Sequence, residues 1–179
     1  MAERGLSRLW LMRAGFVGLG LVSMFFHLLP LETMPRGWAA PDLMLAMCLA
    51  WVVRRPEYTP ALLIALLFLV EDFLFHRPPG LWPAIVVVLA EMLRARQVAF
   101  RTLPFPAEWA AIAGGMVAAT VAYHLALGLF FVDRPALGLA LFQTGMTILV
   151  YPAVVMLSHL LVGVRKTVPG EVDATGGGL

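Results

Sequence analysis

Six apolar stretches, with most of the charge lying outside them, limit what this chain can fold into. They run roughly Leu9–Leu29, Trp38–Val53, Tyr58–Phe75, Leu81–Leu93, Ala107–Phe131 and Pro135–Val164. A helix crossing ~30 Å of hydrocarbon at ~1.5 Å per residue needs about 20 mostly apolar residues. The second and fourth stretches fall short of that. They call for flanking residues that snorkel, or for shelter inside a bundle. Of the 179 residues, 61% are hydrophobic and 13% charged, about half the charge share of a soluble domain. A soluble globule is therefore excluded. The expectation is an all-α polytopic membrane protein of about six transmembrane helices. It comprises a single domain over residues 1–166 and a flexible, Gly-rich cytoplasmic tail over residues 167–179.

The basic residues assign sides. With the N-terminus inside, the inner side holds Arg4, Arg8, Arg13, Arg54, Arg55, Arg94, Arg96, Arg101, Arg165 and Lys166. The outer breaks hold Arg36, Arg77 and Arg134. Basic residues are retained on the cytoplasmic side, so both termini are expected in the cytoplasm of a multi-pass chain. The small net charge of +2 then reflects topology, and no nucleic-acid partner is called for. Trp10, Trp51 and Trp109 fall at expected inner boundaries, and Trp38 and Trp82 at outer ones, as indoles favour interfaces. Arg8 and Arg13 ahead of the first stretch imitate a signal peptide. The stretch is longer than an h-region and lacks a small-x-small cleavage site, so it reads as an uncleaved helix.

Two features stand out within the spans. In the fifth, Ala110, Gly114, Ala118, Ala122 and Ala126 recur every four residues, with Ala111, Gly115 and Ala119 in a parallel row. Small residues on one face let helices approach closely in lipid, so the first row is expected to pack on another helix of this chain or of a partner. In the third, Glu71 and Asp72 close an otherwise apolar run about 20 Å up the helix from Tyr58. Adjacent helical residues point about 100° apart, so these acids do not form a facing dyad that shares a proton. Asp72 and His76 are four apart and suited to pair on one face. Asp42, after Pro41, starts the second span at the same level, with Arg36 and Arg77 nearby. It reads either as a helix cap or as part of an outer polar group. The expectation is that Asp72 faces inward with Asp42, Arg36, His76 and Arg77, and that Glu71 is the more peripheral.

Signatures of enzymes are missing from the sequence: no G-x-S-x-G elbow, no H-E-x-x-H and no phosphate-cradling loop. His27, His124 and His159 share no ligand spacing, so no metal or cofactor is expected. Cys48 reads as a small buried hydrophobe. Glu91 and Glu108 are expected to balance Arg94, Arg96 and Arg101.

The segment "APDLMLAMCLAWVVRRPEYTPALLIALLFLVEDFLFHRPPGLWPAIVVVLAEML" resembles the body of the rod shape-determining protein MreD family. The resemblance rests on Pro41, Asp42, Leu43, Trp51, Arg54, Arg55, Asp72, Gly80 and Leu81, taken in order. The closing "YPAVVMLSHLLVGVRK" is similar to that family's last helix with its basic end. The chain departs from the pattern at Phe68, Leu69 and Glu71 and in the loop "HRPP". The resemblance implies a non-enzymatic subunit of the bacterial inner membrane within the cell-wall elongation machinery. It implies MreC as partner, with MreB, RodA and a class B penicillin-binding protein as neighbours. It also implies a fold similar to the substrate-binding subunits of energy-coupling-factor transporters. A small-molecule-binding subunit of a vitamin-type transporter is the alternative. Under the resemblance, the residues expected to matter for binding are Pro41, Asp42, Asp72, His76 and Gly80.

Overall fold

In a computed structural model the chain is all-helical, and residues 2–28, 40–130 and 136–162 are described. The helices are α1 (Ala2–Leu28), α2 (Leu43–Arg54), α3 (Ala61–Leu74), α4 (Leu81–Ala95), α5 (Gln97–Thr102), α6 (Phe105–Leu129) and α7 (Leu137–Val162). A 3₁₀ turn, Pro56–Tyr58, links α2 to α3. Each of the six apolar stretches contains one helix, and the short α5 between α4 and α6 was not anticipated. Three helices are long and apolar enough to cross a membrane: α1 from Leu6, α6, and α7 to Leu160. They mark a membrane protein. Arg36, Trp38, Arg134, Arg165, Lys166 and the tail over residues 167–179 lie outside the described residues.

The architecture is a short helix enclosed by longer ones. Every residue of α2 from Met44 to Arg54 is buried. A helix apolar on all sides has no face to give to water and belongs at the centre. It packs chiefly on α7 and α4, and α1 touches it more lightly. Pairs α3–α4, α6–α7 and α4–α6 close the bundle around it. On the peripheral α1, Phe16 and Met24 are buried while Trp10 and Leu11 are exposed. Phe16 meets Trp51 of α2 with ring centroids 5.5 Å apart.

Hydrocarbon offers no water to an unmade backbone hydrogen bond, so each must be made within the protein. Pro152 lies inside α7 and has no N–H to give the Ile148 carbonyl one turn back. The Trp109 indole of α6 donates to that carbonyl at 2.9 Å. The proline's missing donor is thereby replaced across the helix pair. Trp51 is likewise no interfacial indole: it is fully buried and donates to Ser158 Oγ of α7 at 3.1 Å. Trp82 is buried too, against Tyr123. Of the four described tryptophans, Trp10 alone is mostly exposed.

Within this chain the expected small-residue row is left uncovered. Ala110, Gly114, Ala118 and Ala122 are exposed, and a Cβ built on Gly114 meets nothing within 4 Å. The face that α6 buries is the next one round: Glu108, Ile112, Met116, Thr120 and His124 at intervals of four, with Ala119, Tyr123 and Leu127 alongside. Close approach occurs in the parallel row, at Gly115, where a Cβ would stand 2.8 Å from Leu89 Cδ1 of α4. Both rows have the spacing of a packing face. What decides between them is the polar row beside Gly115, whose Glu108, Thr120 and His124 need partners that lipid lacks. We expect Gly115→Leu to overpack the α4–α6 contact and lower stability by about 1–3 kcal/mol. Gly114→Leu should leave the thermal unfolding midpoint in detergent within a degree or two of the parent. Equal loss at both positions would contradict this orientation of α6.

Candidate functional site

Two polar clusters sit at opposite ends of the short helices. At one end α3 finishes, and α2 and α4 begin. Asp42 is the N-cap of α2: its Oδ1 accepts from the Leu45 amide at 2.8 Å. A short carboxylate there satisfies an orphan N–H and suits the positive end of the helix dipole. The Asp42 amide itself donates to Thr147 Oγ1 of α7 at 2.8 Å, and that hydroxyl donates to the Gln143 carbonyl. The cap therefore fixes the start of α2 and also ties it to α7. Pro41, half-buried, leads directly into it.

Asp72 is fully buried and closes the α3–α4 hairpin. Its Oδ2 accepts the Gly80 amide at 3.0 Å, and its carbonyl accepts the Arg77 amide at 2.9 Å. Gly80 precedes α4 with φ of 93°, a backbone region that a Cβ disfavours. His76 does not join Asp72. The helix stops at Leu74, and His76 takes a left-handed φ of 54° and is exposed. The spacing of four has no meaning beyond the end of the helix. Glu71 is not peripheral either: it is 2% exposed, on the face of α3 that also buries Ile64, Leu67 and Phe68. Its Oε1 lies 3.6 Å from Arg77 Nη1, and Asp42 is near enough for its charge to act on the Glu71 carboxylate. The structure thus brings together Asp42, Asp72 and Gly80 of the expected group, adds Glu71 and Arg77, and leaves His76 out. Arg36 lies outside the described residues.

Several buried atoms at this end have no hydrogen-bond partner among the described residues. They are Glu71 Oε2, Asp72 Oδ1, Trp82 Nε1 and His124 Nε2. The second His124 nitrogen meets the Thr120 carbonyl at 3.0 Å, and Thr120 pairs with Thr144 of α7 at 2.8 Å.

The opposite end holds a network that local spacing does not reveal. Arg54, in the last turn of α2, pairs with Glu108, in the first turn of α6, at 2.8 Å. Arg54 is 6% exposed and Glu108 not at all. The Tyr151 hydroxyl of α7 accepts from Arg54 Nη1 at 3.3 Å and lies 3.4 Å from Glu108 Oε1, to which it donates. Glu91 and Glu108 are expected to balance Arg94, Arg96 and Arg101, and Arg54 is a partner of Glu108 that this reading missed. Arg94 pairs with Glu91, as expected, and donates to the Thr59 carbonyl at 2.6 Å. Arg13 of α1 donates to the Glu57 carbonyl at 3.2 Å, fastening α1 to the α2–α3 link.

These clusters are built for holding. Most of their polar atoms are engaged in caps, hairpin closure and ion pairs, and the two acid-bearing ends lie on different sides of the bundle core. Among the described residues no group of three or more His, Cys, Asp and Glu side chains could hold a metal ion. No family model, characterised protein or solved structure matches the chain.

The ion pair gives a clear expectation. Removing one partner leaves the other charge buried and unpaired, which costs about 3–5 kcal/mol. Glu108→Ala and Arg54→Ala should each lower the unfolding midpoint in detergent steeply. The double variant Arg54→Met with Glu108→Met should recover much of the loss, because neither charge remains. A double variant no better than the singles would contradict this picture.

Proposed function

We propose that the chain is a non-enzymatic inner-membrane subunit of the bacterial cell-wall elongation machinery, of the MreD type. In this reading α1, α2, α3, α4, α6 and α7 each cross the membrane, and the bundle resembles the substrate-binding subunits of energy-coupling-factor transporters. Both termini are cytoplasmic, and the Arg54–Glu108 end faces the cytoplasm. The arginines 54, 55, 94 and 96 near that end follow the positive-inside rule. Helices α2, α3 and α4 have 12, 14 and 15 residues and reach only about 18–22 Å. The burial of α2 lets a crossing this short avoid lipid contact along its length.

The observation that carries the reading is the use made of Asp42, Asp72 and Gly80. These residues carry the resemblance, and each sets the start of a helix or closes a hairpin. Acids engaged in that way support a scaffold for partner helices rather than chemistry on a substrate. MreC is the partner proposed first, with MreB, RodA and a class B penicillin-binding protein nearby. The unpaired oxygens of Glu71 and Asp72 favour one second reading, a small-molecule-binding subunit of a vitamin-type transporter.

Two measurements test this. A periplasm-active reporter fused after Lys166 should be silent, and one fused near Arg134 active. In a depleted rod-shaped host the chain should restore cell shape and co-purify with MreC, and Asp72→Ala should reduce both at least several-fold. An ATPase module co-purifying in place of MreC would overturn the proposal and support the transporter reading.

A further inference from the structure

The short helix α5 leads directly into α6, which is long enough to cross a membrane, so α5 lies at a membrane boundary. Phe100 anchors it in the bundle at 5% exposure, while Val98 is 77% exposed. Residues two apart on a helix point about 200° from each other, so Val98 faces away from the bundle. Leu103 and Phe105, which follow, are exposed as well. The same end is rich in arginine. Its described acids are each engaged: Glu108 by Arg54 at 2.8 Å, Glu57 by Arg55 at 3.4 Å, and Glu91 by Arg94. That leaves a positive excess. Arg96, between α4 and α5, and Arg8 of α1 are exposed, and neither has an ion pair among the described residues. Arg13 rests on the Glu57 carbonyl and over the Trp10 ring, again with no acid. Apolar side chains without cover and guanidinium groups without acids therefore meet on one short segment.

We propose that the α5 segment, residues 96–105, is a docking site for an anionic phospholipid, with the lipid phosphate on Arg96 and its glycerol and upper acyl chain against Val98 and Phe105. Charge complementarity and the apolar exposure select this occupant together. An arginine offers a phosphate a planar fork of donors. A zwitterionic lipid brings its own cation and leaves the positive excess of this end unmatched. A free phosphate or an acidic protein surface would meet Arg96 and leave Val98 in water, where its apolar area gains nothing. An anionic lipid answers both. Arg8 and Arg13, on α1 at the same end, strengthen the positive field that draws such lipids to this rim. The depth is right, since a segment with apolar side chains beside arginine settles in the boundary between headgroups and acyl chains. This inference goes beyond the role proposed above and needs only that α6 crosses the membrane, so it stands or falls apart from the partner and the number of crossings.

The test is lipid retention by the purified full chain. The protein is reconstituted in vesicles of equal parts phosphatidylglycerol, phosphatidylethanolamine and phosphatidylcholine, then extracted in mild detergent and analysed by native mass spectrometry. The expected result is phosphatidylglycerol enriched about fivefold over each zwitterionic lipid, the discrimination that one arginine at an anionic surface supports. Arg96→Gln keeps the length and polarity of the side chain and removes its charge, and should cut that preference below about twofold. Val98→Ser keeps the charge and should lower the phosphatidylglycerol retained by about twofold or more. Both positions are exposed, so the unfolding midpoint should change little in either variant. Equal retention of the three lipids by the parent, or an unchanged preference in Arg96→Gln, would overturn the proposal. Phosphatidylglycerol retained by Val98→Ser as by the parent would overturn the placement on α5. Displacement of the lipid by excess inorganic phosphate would mean a site for a free anion instead. An acidic protein that co-purifies from native membranes with the parent and is lost in Arg96→Gln, with no lipid preference in the parent, would assign the arginines to a protein partner and sink the lipid reading.

Discussion

The Arg54–Glu108 ion pair is the contact on which the centre of this bundle depends. It joins the end of a 12-residue helix to the start of α6, with both side chains shut away from the surroundings. A charge at that depth is strongly unfavourable alone. Paired, and shared with the Tyr151 hydroxyl, it holds α2, α6 and α7 in one register. The Asp42 amide on Thr147 does the equivalent work at the other end of α2. Between these two fastenings α2 is entirely buried, and the long helices provide the apolar exterior.

The same rule explains the smaller contacts. Hydrocarbon penalises any unmade hydrogen bond, so each irregularity in the backbone is answered by a side chain. Trp109 serves the carbonyl freed by Pro152. Asp72 serves the amide of Gly80, which supplies the turn just before α4. Trp51 has its N–H on Ser158. The proposed scaffold role rests on this distribution. Polar side chains at both ends hold helix starts and ends, and a limited set of buried atoms, among them Glu71 Oε2 and Asp72 Oδ1, has no hydrogen-bond partner among the described residues.

What could be read from the sequence was what depends on local pattern. The six helices were legible because apolar runs of that length have few other uses, and the Asp42 cap because Pro-Asp before an apolar run is a local signal. Partners far apart along the chain were not legible. Glu108 pairs with Arg54 at the far end of α2, and Trp109 finds Ile148 on a different helix. Which small-residue row packs within the chain was not legible, because spacing identifies a face without saying which way it points. Gly114 and Gly115 differ by one residue, and only the buried Glu108, Thr120 and His124 decide which faces α4. The Asp72–His76 pairing failed because helical spacing was carried past the end of α3 at Leu74.

The central claim, that α2 is enclosed and kept so by its buried ion pair, has a natural probe. Cys48 is the chain's one cysteine and sits fully buried midway along α2. Labelling it with a membrane-permeant maleimide in intact membranes measures how often α2 is exposed. The account predicts negligible labelling of the parent over the time in which denatured protein labels fully, and acceleration of tenfold or more in Glu108→Ala. Rapid labelling of the parent, or a rate that ignores the loss of Glu108, would contradict it.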